Sequence, residues 1–151
     1  MADPVTPVFS EDDAHVSGRR FWAHFVDSVV LSAILFVLII PAAIISDILI
    51  IVVFVLWFTV VHVAYFVLTQ RGDGQSPGKR LARIRVVDGM GRTPDAAALA
   101  RRTVPLLLEY FYVIAFVGMM SSRYRQRLGD RWAHTYVVEA TAVASGRTPP
   151  A

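Results

Sequence analysis

The sequence has no cysteine. That excludes disulfides, thiolate metal sites, a cysteine nucleophile and a lipidated cysteine anchor. Charge is also scarce: Asp, Glu, Lys and Arg make up 18% of the 151 residues, where a soluble domain carries about 25%. Between Ile48 and Leu68 there is none. The first 18 residues contain no Lys or Arg but four acids, Asp3, Glu11, Asp12 and Asp13. A secretory signal begins with basic residues and ends at a small-residue cleavage site. Neither is visible, so the apolar run that follows reads as a retained helix.

Apolar residues dominate instead, at 55%, with a mean hydropathy of +0.51. The run ILIIVVFVLWFTVVHVAYFVL, residues 48–68, is long enough to cross a bilayer core, which takes ~20 helical residues. An ordinary soluble enzyme, a disordered chain and a fibrous repeat are excluded. The net charge of +3 and the pI of about 9.7 would raise nucleic acid as a partner of a soluble chain. Here the basic residues flank membrane segments, and anionic lipid headgroups account for them.

Arg19-Arg20 opens a first membrane helix over about 20–40, ended or kinked by Pro41. Residues 42–47 form a tight connection with no basic residue, and the second helix follows at 48–68. A polar segment, 69–104, is rich in arginine. A third apolar segment, 103–122, contains Pro105 and Glu109, and a basic cluster of Arg123, Arg125, Arg127 and Arg131 follows it. The expected architecture is an all-α membrane protein with three hydrophobic helical segments and a cytoplasmic polar loop containing short strands. Residues 1–18 and 144–151 are expected to be disordered tails around one domain, 19–143. The positive-inside rule turns the first connection outward. It places the N-terminus and segment 69–104 in the cytoplasm, as in a multi-pass protein of the cell (inner) membrane.

Within the polar segment, Arg71 to Gly78 is a turn-rich loop. Arg83 to Val87 alternates as a strand and ends at Asp88-Gly89. Thr93 reads as a helix cap, with Pro94 in the first turn of a helix over Ala96–Arg102.

The chain also resembles itself. Gly78-Lys-Arg-Leu-Ala-Arg-Ile-Arg-Val-Val-Asp88 matches Gly129-Asp-Arg-Trp-Ala-His-Thr-Tyr-Val-Val-Glu139, and each copy reads as a turn, a helical stub and a strand. A second match sets Arg19-Arg20 and Asp27 against Arg101-Arg102 and Glu109. A single crossing by 103–122 would put the two longer motifs on opposite faces, as in an inverted repeat, and would export four arginines. A segment that dips and returns would keep both motifs cytoplasmic, where their strands could pair. The lack of Gly or Pro between Leu106 and Val117 favours one crossing; charge and repeat favour the return.

An ionisable group in hydrocarbon is costly and turns toward protein or water. Arg20, His24 and Asp27 share one helix face, which puts Asp27 ~10 Å deep at ~1.5 Å per residue. His62 and Glu109 fall at similar depth. Asp27, His62, Glu109 and His24 therefore form a candidate proton or cation site, since burial moves carboxylate and imidazole toward neutrality. The competing reading is that Asp27 pairs with Arg20 or His62 to lock packing, that His62 makes an inter-helix hydrogen bond and that Glu109 snorkels to the interface. Trp22 reads as an interface anchor and Trp57 as lipid- or helix-packed.

Gly74 to Lys79 fails as a nucleotide loop: Arg80 stands where Ser or Thr is required, and no strand precedes it. Its amides with Lys79, Arg80 and Arg83 remain candidates for lipid headgroup contact. The four histidines lack zinc spacing, no catalytic triad stands out, and no metal, cofactor or enzymatic activity is expected.

Arg19-Arg20-Phe-Trp-Ala-His-Phe-Val-Asp27, Gly74 to Asp88 and Arg127-Leu-Gly-Asp130-Arg-Trp-Ala-His-Thr135, in that order, resemble the RDD family of small membrane proteins over about 19–139. The resemblance implies that the family's arginine and two aspartates are Arg20, Asp27 and Asp130. Family motifs often carry His before the last Asp; here it is Gly129. Transport is suspected for the family, with cation/proton exchange attributed to some members. Two functions are therefore expected. One is transport or permeation of a small solute or cation, possible for so small a chain only as a homo-oligomer or with a membrane partner. The other is a scaffold or accessory subunit that binds lipid or a partner protein.

Overall fold

A computed structural model describes residues 7–108 and 123–144. Helix α1 (Ser17–Ile45) has 29 residues, ~43 Å at ~1.5 Å each, against a hydrocarbon core of ~30 Å. It continues past Pro41, which a membrane helix tolerates, so the expected end near residue 40 moves out to Ile45. The connection is Ser46 alone, in extended conformation. Its Oγ accepts from the Leu49 amide (3.2 Å) and caps α2 (Asp47–Leu56). A π-helical turn (Trp57–Val61) and α3 (His62–Gln70) continue the same helix, so the second apolar span covers Asp47–Gln70.

Leu31, Trp57 and Phe66 seal the two helices together, and Trp57 Nε1 donates to the Leu31 carbonyl (3.2 Å). Trp57 is thus packed between helices. The outer faces are bare: Val37 is 72% exposed, Ile44 82% and Ile48 74%. Aliphatic faces of this extent need a non-aqueous cover, and a bilayer supplies one.

All Lys and Arg of the described residues lie toward the other end of these helices. There the chain forms α4 (Pro77–Leu81), β1 (Ile84–Asp88), α5 (Ala96–Leu108), α6 (Leu128–Trp132), β2 (Thr135–Glu139) and α7 (Ala140–Ala144). The cap of α5 is Asp95 rather than Thr93: its Oδ1 accepts from the Ala98 amide (2.6 Å). A carboxylate at this position outcompetes a threonine two residues upstream because it reaches the free amides of the first turn. α5 starts the third apolar segment; 109–122, Glu109 included, lies outside the described residues.

The longer repeat is structural. Both copies run from a short helix through a left-handed residue, Arg83 (φ 54°) or His134 (φ 50°), into a five-residue strand. It begins earlier than the sequence match. Gln75 Nε2 donates to the Ile84 carbonyl (2.8 Å) and Gln126 Nε2 to that of Thr135 (2.9 Å), the same bond in each copy. β1 and β2 pair antiparallel. Val86 faces its own counterpart Val137, and Asp88 faces Thr135 as Ile84 faces Glu139. This is the register of a two-fold axis between the copies. Both motifs therefore sit on one side of the molecule.

Residues 7–16, expected in a disordered tail, pack on this sheet. Phe9 sits among Val87, Val138, Tyr124 and Tyr136, and Val8 N–H donates to the Gly89 carbonyl (3.2 Å). Burying an aromatic ring outweighs the polar character of the surrounding stretch.

Candidate functional site

Two buried aspartates organise the junction between the membrane helices and the paired strands. Asp130, on α6, is 2% exposed and holds two arginines: Arg20 Nη1 at 3.1 Å and Arg102 Nη2 at 2.7 Å. Arg20 also donates to the carbonyls of Arg125 (2.8 Å) and Val137 (3.1 Å), tying α1 to the second repeat. Burial alone would raise the Asp130 carboxyl. Arg102, Arg20 and Arg127 outweigh burial and hold it below the usual carboxylate range.

Asp27, on α1, is 1% exposed and bonds to the start of the first repeat. Its Oδ2 accepts from Ser76 Oγ (2.5 Å). Its Oδ1 accepts from the Gly78 amide (2.8 Å) and Tyr65 Oη (3.0 Å). Asp27 thus caps α4 from a different helix, in place of Ser76, whose own side chain makes no cap. This close seating depends on glycine. A Cβ on Gly78 would stand 2.0 Å from the Ala23 carbonyl oxygen, and one on Gly129 would stand 2.2 Å from that of Arg102.

Between these centres lies a cavity of about 50 Å³, lined by Arg20, His24 and Asp27 of α1, Gln70 of α3, Lys79 of α4, and Arg102, Arg127 and Asp130 across from them. At ~10–15 Å³ per water it has room for a few waters or one small group. Its depth is marked by Phe21, Trp22 and Phe25 on the outer face of α1, each more than half exposed, with Trp22 edge-on to both neighbours. An exposed Trp settles at the headgroup layer.

The structure brings together Arg20, His24, Asp27 and Asp130 from the expected residues. Arg20 pairs with Asp130, 110 residues on, rather than with Asp27 two turns along its own helix. His62 is 1% exposed and sits among the rings of Trp57, Phe58 and Phe66, off the cavity lining. Glu109 lies outside the described residues. Of the expected headgroup residues, Lys79 turns into the cavity, Arg80 is exposed and paired with Asp73 (3.1 Å), and Arg83 is exposed. Sequence reasoning missed Tyr65, Ser76 and Arg102 as partners. Arg102 was signalled by the shorter repeat, whose two arginines meet on one aspartate. Among the described residues no group of three or more His, Asp and Glu side chains is placed to hold a metal ion.

Two bare apolar helices and a charged, strand-paired junction at one end define a small helical membrane protein. The family model of the RDD family matches residues 16–134, and the chain belongs to that family. No curated protein and no solved structure matches it.

Proposed function

We propose that the chain is a membrane scaffold, an accessory protein whose two-helix anchor holds the paired-strand unit firmly against the cytoplasmic face for a partner protein or a second copy. The bonding of Asp27 carries this reading. A carboxylate that ferries a cation or proton must be able to release its ligands, but Asp27 holds three donors from two parts of its own chain, α3 and the start of α4, and seats α4. Arg20, Asp27 and Asp130 then serve as fasteners between membrane helices and repeats.

The test uses purified full-length protein in liposomes at varied pH. Wild type is expected to carry no cation or proton flux above empty liposomes, and Asp27→Asn to lose about 1–2 kcal/mol of stability through its weakened hydrogen bonds. Flux in wild type that vanishes in Asp27→Asn with unchanged thermal stability would replace the scaffold with a carrier.

The arginine count supports a cytoplasmic sheet, and the pairing of β1 with β2 supports a third segment that returns to its starting side. Since no cysteine is native, Met90→Cys and Arg123→Cys are each expected to react with an impermeant thiol reagent from the cytoplasmic side only, and Ile45→Cys from the outside only. Labelling of position 123 from outside contradicts this topology.

A further inference from the structure

We propose that the cavity between the repeats binds a tetrahedral oxyanion of the phosphate type, presented by a phospholipid headgroup or by a soluble phosphate. Charge and geometry carry the argument, independently of the scaffold reading. Four basic side chains, Arg20, Lys79, Arg102 and Arg127, line the cavity against two carboxylates. Asp130 is committed to Arg20 and Arg102, and Asp27 to its three neutral donors. Lys79 and Arg127 make no ion pair among the described residues. Among the described residues the Phe66 ring lies 5.3 Å from Lys79 Nζ to the centroid, which attracts the ammonium without neutralising it.

Unfilled hydrogen-bonding capacity points the same way. Arg20 Nε and Arg127 Nε, both on cavity-lining residues, are buried donors without a hydrogen-bond partner among the described residues. Gln70 Oε1, a buried acceptor also without one, would accept a hydrogen bond from the P–OH of a hydrogenphosphate or from a water. Buried polar atoms are ordinarily satisfied, so the cavity is built around a hydrogen-bonding occupant. An arginine fork and a lysine ammonium converging on one space suit a phosphate group. The volume of about 50 Å³ has room for such a group.

Burial, then the neighbouring Arg102 and Arg127, pushes the Lys79 ammonium well below its usual range, against the pull of Asp27 and Asp130. An anion in the cavity offsets that push. Exposed Trp22, an amphipathic ring of the kind enriched at the membrane–water interface, puts the site near the level of the lipid phosphates.

The experiment uses the full chain in a neutral detergent. Inorganic phosphate is titrated calorimetrically, and retention of phosphatidylglycerol over phosphatidylcholine is read by native mass spectrometry. Lys79→Gln and Arg127→Gln are each expected to weaken binding at least tenfold. Lys79→Arg and the exposed Arg80→Gln are expected to retain it. Heat with phosphate but no lipid retention assigns a soluble ligand, and the reverse assigns a headgroup. On the unmodified chain, sulfate is expected to compete and chloride at equal ionic strength is not. No binding by wild type in either arm, wild-type affinity in both glutamine variants, or equal competition by the two salts overturns the proposal.

Discussion

Asp130→Asn is expected to destabilise the protein by about 3–5 kcal/mol, the cost of leaving buried charges without their partner. Arg20 and Arg102 would both lose their counter-charge, and Arg20 is 4% exposed. Thermal unfolding of the purified protein measures the loss. Adding Arg102→Gln to Asp130→Asn should recover part of it, because one stranded cation is then removed. If the double variant is no more stable than the single, the two side chains are not coupled. The pH dependence has a definite sign. The Asp130 carboxyl titrates lower in the folded protein than in the unfolded chain. Its contribution is therefore complete above the unfolded value of roughly 4 and is lost as pH falls through the lower folded one. Asp130→Asn should lack this part of the acid destabilisation.

Gly78→Ala and Gly129→Ala are expected to cost about 3 kcal/mol each, or to prevent folding. Overpacking costs about 1–3 kcal/mol where side chains can give way. Here the obstacles are the backbone carbonyls of Ala23 and Arg102, at 2.0 and 2.2 Å, and neither can move without bending its helix. At Gly78 the methyl would also press on the Asp27 carboxyl carbon, 3.0 Å away, and pull the carboxylate off the amide it caps. Gly18→Ala and Gly72→Ala meet nothing within 4 Å and serve as controls. Gly18 lies in α1, where alanine should stabilise by up to about 1 kcal/mol. Melting curves of all four variants decide the matter, and near-wild-type stability of Gly78→Ala would show that α4 does not rest on α1 as described.

The membrane spans, both strands and the repeat were legible because each writes itself locally. An uncharged run marks a span, and alternation ended by Asp-Gly marks a strand. The site was legible only in its members. Arg20, Asp27 and Asp130 could be named from motifs, but helical spacing pairs Arg20 with Asp27, and only the closing of the two repeats brings Asp130 to it. Depth counting put His62 level with Asp27, yet the side chain of α3 that reaches Asp27 is Tyr65, less than a turn further along. Rise per residue gives height and says nothing of rotation about the helix axis. The packing of the N-terminal stretch is not legible in the sequence because one aromatic, Phe9, anchors an otherwise polar segment.

The register of the two strands has an evolutionary consequence. A unit whose strand faces its own equivalent could once have assembled with an identical molecule, and the present polypeptide would then be such a pair fused end to end. In a pair of identical units, Lys79 and Asp130 would be the same residue, giving either two lysines crowded among arginines or two aspartates. Tandem duplication frees the positions to differ, so one side can hold the arginines while the other keeps an uncommitted positive charge.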